Sequence, residues 1–265
     1  MWLAVVNLEA LVDRFRIDGA ALVLAGSHAR GDAGTYSDVD LIRFLPDERA
    51  VTSDGSYLFA GRLVVVSSVT PATVEQWFDL PEQAVNVIAG LQTSHTLYDP
   101  HSHFSLVKAR AKAFRWTEVL DRRADAWVAA QMVGWAEEAH KGLEGLARDD
   151  AGRLLNARFG LSWGLARVMT VHRRVLLRGD NTFIEQLGEA LGEDSGWMVL
   201  SRRAFGLSAD APGQLLHDQV RAGLALYAMT AVMVRDTLGA SQAEIVDATV
   251  SRIGAVIEGS PGSAA

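Results

Sequence analysis

The stretch that most constrains the fold of this chain covers residues 25–44 and reads AGSHARGDAGTYSDVDLIRF. It follows a compact apolar run at residues 20–24, which predicts a buried strand, and it ends in a second predicted strand at residues 39–45. Between the two strands lie about a dozen residues rich in Gly, Ser, Arg and Asp, a composition that predicts a loop. The chain therefore passes from a strand through a loop into a second strand that opens with two aspartates.

Asp38 and Asp40 are separated by one residue at the start of the second strand. Side chains alternate between the faces of a strand, so both carboxylates point the same way, about 7 Å apart at their Cα atoms. Two carboxylates forced together repel, and one takes up a proton unless a cation lies between them. Mg²⁺ is the natural cation, because it prefers oxygen and binds through one or two carboxylates plus substrate phosphates.

The loop before the aspartates carries features that suit an anion. Gly26 and Ser27 follow the first strand directly, so their backbone N–H groups and the serine hydroxyl can approach a phosphate. Arg30 adds a positive charge, and Gly31 and Gly34 allow the loop to fold back towards the aspartates. The alternative is an Asp-rich turn with Gly and Ser present for turn geometry. Turn geometry does not require two carboxylates on one face, so the phosphate-binding interpretation is favoured.

This pattern resembles the nucleotidyltransferase superfamily that includes DNA polymerase β and the antibiotic nucleotidyltransferases. The signature is Gly-Ser after a strand, a spacer of about ten residues (here residues 28–37), and Asp-x-Asp on the next strand. The resemblance implies that the metal ligands and catalytic carboxylates are Asp38 and Asp40. It implies that the nucleotide-binding residues are Gly26, Ser27, Arg30 and Ser37, of which Gly26 and Ser27 hold the β- and γ-phosphates.

The sequence departs from this family where a third carboxylate is usually found. The corresponding strand, RLVVVSSV at residues 62–69, holds no Asp or Glu. One explanation is that the catalytic base comes from the helical part of the chain, with Glu137 and Glu138 as the candidates. Another is that Glu75 or Glu82 moves in from a neighbouring short helix. The third is that the protein binds a nucleotide without turning it over.

The rest of the chain predicts an α+β protein with two domains. Residues 1–102 are expected to form a nucleotidyltransferase domain with a small mixed sheet, including strands at residues 63–66 and 95–98, and helices at residues 70–78 and 82–90. Residues 103–258 are expected to form a helical bundle, and residues 259–265 a disordered tail. Bundle helices are predicted at residues 117–146, 153–178, 182–191, 197–205, 214–238 and 243–257. Gly179 is the predicted C-cap of the helix at 153–178.

Composition excludes several classes of function. The chain has no cysteine, which excludes disulfides, thiolate nucleophiles and cysteine-based zinc sites. A net charge of −7 argues against broad nucleic-acid binding, which needs an excess of Lys and Arg. The first residues lack the basic segment of a signal peptide, and the longest apolar run is too short to cross a bilayer, so a cytoplasmic protein without a membrane partner is expected.

The layout, a small nucleotidyltransferase domain followed by a helical bundle, is similar to that of the lincosamide and aminoglycoside nucleotidyltransferases. It implies an active site in the cleft between the domains and Mg²⁺-dependent transfer of a nucleoside monophosphate to a hydroxyl of a small molecule such as an antibiotic. AMP from ATP is the favoured donor, another NTP is the alternative, and a homodimer would fit such relatives. The competing hypothesis is a nucleotide-binding or toxin-antitoxin-type module that keeps the fold without turnover.

Overall fold

The computed structural model of the protein describes residues 7–48, 53–207 and 215–258, and the predicted tail at 259–265 lies outside this range. The chain divides into two compact units. The first unit runs to Thr117 and adds the segment Leu176–Phe183, and the second takes Glu118–Val175 and the residues from Ile184 onward. One small mixed sheet lies in the first unit and helices build the second, which confirms the predicted α+β class.

The first unit holds the sheet and the short helices around it. Within the described residues its strands are β1 (Ala21–Ala25), β2 (Val39–Phe44), β3 (Gly55–Phe59), β4 (Arg62–Val69) and β5 (His95–Tyr98). Its helices are α1 (Leu8–Phe15), α2 (Gly26–Arg30), α3 (Pro71–Asp79), α4 (Pro81–Thr93) and α5 (His103–Lys112). Thr70 caps α3 as its sequence predicts, because its side chain accepts a hydrogen bond from the backbone N–H of Thr73 at 3.3 Å.

The sheet has the strand order β3-β4-β2-β1-β5, so β2 lies at its centre. β2 runs parallel to β4 and antiparallel to β1, and the remaining pairs are antiparallel. One face packs on α1 through a core that includes Leu11 and Leu41. The opposite face, which includes Val23 and Phe44, packs on α3, α4 and α5. A central strand buried on both faces gives the residues at its start a fixed position.

Besides α5 and a 3-10 helix at Asp180–Thr182, two elements of this unit were not predicted. β3 pairs with β4 through a tight turn in which Ala60 has φ +50° and Gly61 has φ +76°. This is the left-handed geometry of two-residue hairpins, but alanine at the first position gives no turn signal in the sequence. The other is α2, a five-residue helix within the loop after β1, which ends where Gly31 adopts φ +80°.

Six helices form the described part of the second unit and its boundary with the first. They are α6 (Glu118–Arg148), α7 (Ala151–His172), α8 (Phe183–Leu191), α9 (Gly196–Phe205), α10 (Leu216–Met233) and α11 (Ala240–Glu258). α6 and α7 approach closely, since a Cβ at Gly164 would lie 2.3 Å from the Trp135 ring. None of the helices in the described ranges is both long and apolar enough to cross a membrane.

The predicted helix at residues 153–178 with its C-cap at Gly179 is wrong at its C-terminal end. α7 ends at His172, and Arg174 adopts a positive φ of 56°. The Arg174 guanidinium donates hydrogen bonds to the carbonyls of Val171 and His172 at 3.1 and 2.8 Å. It also pairs with Asp121 and Asp125 of α6 at 2.8 and 2.7 Å. These bonds stabilise an early helix end, and the chain then contributes Leu176–Phe183 to the first unit.

Candidate functional site

A pocket of about 840 Å³ opens where β1 passes into α2, a volume typical of small-molecule sites. It is lined by the end of β1, by α2 and the loop after it, by β2 and β4, by α4, and by residues 178–181. All of these residues belong to the first unit. Every site residue predicted from the Gly-Ser and Asp-x-Asp signature lines this pocket.

Asp38 and Asp40 lie on the same side of β2, as the alternation of its side chains predicts. Val39 and Leu41 are each 1% exposed and pack in the core beneath the sheet, while the two aspartates face the pocket. Asp40 pairs in register with Ala25 on β1 and with Val65 on β4. It is therefore held on the central strand, which gives its carboxylate a defined direction.

Gly26 is required beside Asp40 for two reasons. Its φ is +64°, a conformation that L side chains rarely adopt. A Cβ built on it would also lie only 2.0 Å from Oδ2 of Asp40, closer than any real contact. The glycine of the Gly-Ser pair therefore makes space for the carboxylate, in addition to exposing its own backbone N–H to the pocket.

The electrostatics of the site favour a cation near Asp40. Burial, and then the negative charge of Asp38, raise the pKa of Asp40, and the charge of Asp180 makes a smaller contribution in the same direction. The charges of His28 and Arg30 act in the opposite direction and are too weak to reverse it. Two crowded oxygen donors beside a backbone that leaves room for them fit a hard divalent cation such as Mg²⁺.

No set of three acidic or histidine side chains converges on one point within the ranges 7–48, 53–207 and 215–258. A site with two protein carboxylates suits Mg²⁺, which commonly completes its coordination with water and substrate phosphates. Asp38 and Asp40 are the residues that would hold such an ion.

The predicted nucleotide-binding residues line the same pocket but do not all point their polar groups into it. The Ser37 hydroxyl accepts a hydrogen bond from the backbone N–H of Gly34 at 2.9 Å, which closes the loop. The Ser27 carbonyl accepts from the N–H groups of Gly31 and Asp32 at 3.0 and 3.1 Å, which shapes the end of α2. Ser37 is thus a structural element of the loop as well as a pocket residue.

Arg30 has a role that its sequence position does not predict. Its guanidinium pairs with Asp32 at 3.0 Å and donates to the backbone carbonyl of Arg178, also at 3.0 Å. Only 17% of the side chain is exposed. Arg30 therefore holds a segment that is 148 residues away in sequence against the pocket, besides placing a positive charge beside it.

Glu137 and Glu138, the predicted sources of a base, lie on α6 in the second unit. Both pair with Lys141 at 2.9 and 2.7 Å, and Glu138 packs against Gly160 of α7. Glu75, an alternative candidate, pairs with Arg110 at 2.6 Å. The carboxylates of these three residues are engaged in ion pairs, and their assignment as a catalytic base stays a prediction.

The strand β4 faces the pocket with Val65 and Ser67, so the gap noticed in the sequence is also present in the structure. Sequence reasoning missed other pocket residues, including Asn86 on α4 and Asp180. It also missed Tyr36, which is 99% exposed on the loop between α2 and β2. Asp180 directly follows Gly179, and a Gly-Asp-Asn run is a turn signal that could have indicated a loop there instead of a helix end.

Comparison with known proteins agrees with this geometry for the first part of the chain. The family model for the nucleotidyltransferase domain matches residues 8–89, which include α2, the loop after it and both aspartates. The chain therefore carries a nucleotidyltransferase domain, which confirms the resemblance drawn from the motif. No curated protein matches the chain. Among solved structures, a nucleotidyltransferase-like protein from Exiguobacterium sibiricum 255-15 aligns with 11% identity and a TM-score of 0.46, over 95% of this chain and 76% of that one.

Proposed function

We propose that the protein binds a nucleoside triphosphate, with ATP as the leading candidate, and transfers its nucleoside monophosphate to a hydroxyl of a small molecule. The observation that carries the proposal is the convergence of Asp38 and Asp40 on one pocket, directly beside Gly26 and Ser27. The nucleotidyltransferase domain over residues 8–89 supports the same class of reaction.

In this proposal each residue has a defined task. Gly26 and Ser27 bind the β- and γ-phosphates through backbone N–H groups and the serine hydroxyl. Asp38 and Asp40 hold Mg²⁺, which when bound neutralises the triphosphate and stabilises the leaving pyrophosphate. Arg30 keeps a positive charge at the pocket wall while its hydrogen bonds fix that wall in place. The residues thereby orient the α-phosphorus towards an acceptor hydroxyl.

The acceptor is proposed to be a small molecule such as an aminoglycoside or a lincosamide antibiotic, which would make the protein a resistance factor. Three carboxylates line the pocket, those of Asp38, Asp40 and Asp180. The cationic residues Arg30 and Arg178 line the pocket as well, so charge alone does not select between the two classes of acceptor. A cytoplasmic location and a homodimer remain part of this proposal.

The test is to incubate the protein with MgATP and a panel of aminoglycosides and lincosamides and to follow the release of pyrophosphate. Asp40→Asn should lower the rate by at least about 1,000-fold, because the variant loses one of the two charges that hold the cation. Asp13→Asn, which removes an exposed carboxylate on α1 outside the pocket, is the matched control and should leave the rate unchanged. Full activity of Asp40→Asn would exclude the mechanism.

A second candidate is a binding module that keeps the fold without turnover. It is favoured by the pocket face of β4, where Val65 and Ser67 stand in place of a carboxylate. Calorimetry separates the two candidates. Tight binding of MgATP without pyrophosphate release for any acceptor supports the binding module, whereas release with any acceptor excludes it.

A further inference from the structure

An acidic residue from outside the sheet lines the pocket, in a segment that no motif predicts. Asp180 lines the same pocket as Asp38 and Asp40, although it lies 140 residues after Asp40 in the sequence. It opens a short 3-10 helix, Asp180–Thr182, in the segment Leu176–Phe183 that belongs to the first unit. Asp180 is exposed, while Asp40 is only partly exposed.

The segment that carries Asp180 is fixed at several points. The backbone N–H of Leu177 donates to the carbonyl of Val85 on α4 at 2.7 Å, and Leu177 is 8% exposed. The carbonyl of Arg178 accepts from the Arg30 guanidinium at 3.0 Å. After Asp180, both the N–H and the hydroxyl of Thr182 donate to the carbonyl of Gly179, at 3.1 and 2.9 Å. These bonds fix the backbone that carries Asp180, and a fixed backbone is a requirement for a catalytic group.

Asp180 shares the pocket but, among the described residues, not an ion site with Asp38 and Asp40, which separates its role from theirs. The three carboxylates share one pocket, but they do not converge tightly enough to hold one ion, as no such set of three exists among the described residues. An exposed carboxylate that lines the pocket without sharing the ion site can be reached by an acceptor that enters from solvent. That position suits contact with the acceptor hydroxyl.

We propose that Asp180 is the general base of the transfer reaction, a role that rests on the function proposed above. The Asp180 carboxylate takes the proton of the acceptor hydroxyl while the hydroxyl oxygen forms a bond to the α-phosphorus of the nucleotide. The bond between the α-phosphorus and the oxygen that bridges to the β-phosphorus breaks, and its electron pair leaves with pyrophosphate. The proton is held by Asp180 until the nucleotidylated product departs, after which it passes to water.

The experiment compares wild type with Asp180→Asn and Asp40→Asn in two measurements. The first is pyrophosphate release from MgATP with the acceptor panel and with water alone. The second is calorimetric binding of Mg²⁺ together with a non-hydrolysable ATP analogue. Asp180→Asn should lower pyrophosphate release by at least about 100-fold and change the Kd of the analogue by less than about threefold. Asp40→Asn should lose both pyrophosphate release and binding of the analogue.

Two further variants complete the design. Asp13→Asn is the matched control for the loss of one exposed carboxylate in the first unit and should behave as wild type. Glu138→Gln tests the competing base on α6, and a loss of release in this variant with full release in Asp180→Asn overturns the proposal. Thermal unfolding of each variant checks that the fold is retained.

The remaining outcomes are also decisive. If Asp180→Asn keeps wild-type release while Asp40→Asn loses it, the transfer function stands and the role of Asp180 is overturned. If Asp180→Asn loses analogue binding as fully as Asp40→Asn, Asp180 is a nucleotide or metal ligand and not the base. If wild type binds the analogue without release, or does neither, the proposed transfer function fails and the base with it.

Discussion

Two of the stretches that line the pocket, residues 25–42 and residues 178–181, differ in how they are encoded. The first is a dense local pattern in which spacing, turn residues and strand alternation all bear on one geometry. The second carries no sequence motif beyond a turn signal. Its four residues are held by the bond of the neighbouring Leu177 to α4 and by the bond of Arg178 to Arg30. The comparison teaches that a sequence motif can define the residues that bind a cation, while tertiary contacts define other residues that line the same pocket.

The largest effect is expected from Gly26→Ala, in the first stretch. The new methyl group would meet Oδ2 of Asp40 at 2.0 Å, and the backbone would also have to keep φ +64°. We expect the free energy of unfolding to fall by about 2–4 kcal/mol and the binding of MgATP to weaken at least about tenfold. Denaturant unfolding and calorimetry measure the two effects.

Gly31→Ala is the matched control for that change. Gly31 has φ +80° but no atom lies within 4 Å of the position of its Cβ. It should therefore show only the backbone cost, about 1 kcal/mol, and leave nucleotide binding intact. Equal effects of the two alanine substitutions would mean that the space beside Asp40 is not what Gly26 provides.

The next largest effect is expected at Arg30, which joins the two stretches. Arg30→Gln loses the hydrogen bond to the Arg178 carbonyl, and we expect a loss of about 1.5–3 kcal/mol for a mostly buried charged donor. Hydrogen exchange at the backbone N–H groups of Leu177 and Thr182 should accelerate, because the segment that carries them loses an anchor.

Asp32→Asn is the control for the pair that Arg30 makes within its own loop. Asp32 is 51% exposed, so the loss of this pair should cost at most about 1 kcal/mol. Unchanged exchange in Arg30→Gln would show that residues 178–181 are held without Arg30.

The next effect is smaller and has the opposite sign. Without a divalent cation, Asp40→Asn is expected to raise the free energy of unfolding. Burial and the charge of Asp38 raise the pKa of Asp40 above its ordinary value of 3.8, so the folded chain binds this proton more tightly than the unfolded chain. The free energy of unfolding therefore falls as the pH rises from the ordinary value through the raised pKa, and the cost is complete above it. At pH 7 the variant should therefore have a larger free energy of unfolding than wild type.

Denaturant unfolding in the presence of EDTA between pH 3 and pH 8 measures this difference, which should vanish at the acidic end. Asp13→Asn should show no such dependence. A variant that is less stable than wild type at pH 7 under these conditions would contradict the assigned cause of the shift.

The smallest effect is expected at Gly179→Ala. The φ of Gly179 is 173°, an extended conformation that any residue adopts, so only space decides the outcome. A Cβ there would lie 3.1 Å from Nη1 of Arg30, which can move by a few tenths of an ångström. We expect a cost below about 1 kcal/mol. In the Arg30→Gln background this cost should disappear, and a cost that persists would show that Arg30 is not the neighbour responsible.

The sequence predicted much of the first unit and little of the second stretch, for physical reasons. The alternation of Val39, Asp40 and Leu41 is a local property, so the direction of the aspartates could be deduced from the sequence alone. The end of α7 could not, because Arg174 adopts a strained backbone angle that its bonds to Asp121 and other α6 residues stabilise. These partners are about 50 residues away, and propensity extends a helix through such a position.

The same limit explains why Asp180 was missed. The sequence showed that β4 lacks a carboxylate, but no local signal shows which distant acidic residue lines the same pocket. When non-local contacts assemble a site, the sequence shows that a carboxylate is absent from β4 but does not show which residue replaces it.

The first unit is built from two separate segments of the chain, and this matters for the isolation of the N-terminal part as a fragment. A fragment cut after Thr117 would omit Leu176–Phe183, and with it one wall of the pocket. The surface exposed on α4 would then favour aggregation, and the Arg30 guanidinium would keep its pair with Asp32 but lose its bond to the Arg178 carbonyl. A fragment to which those eight residues are fused would include every segment that lines the pocket.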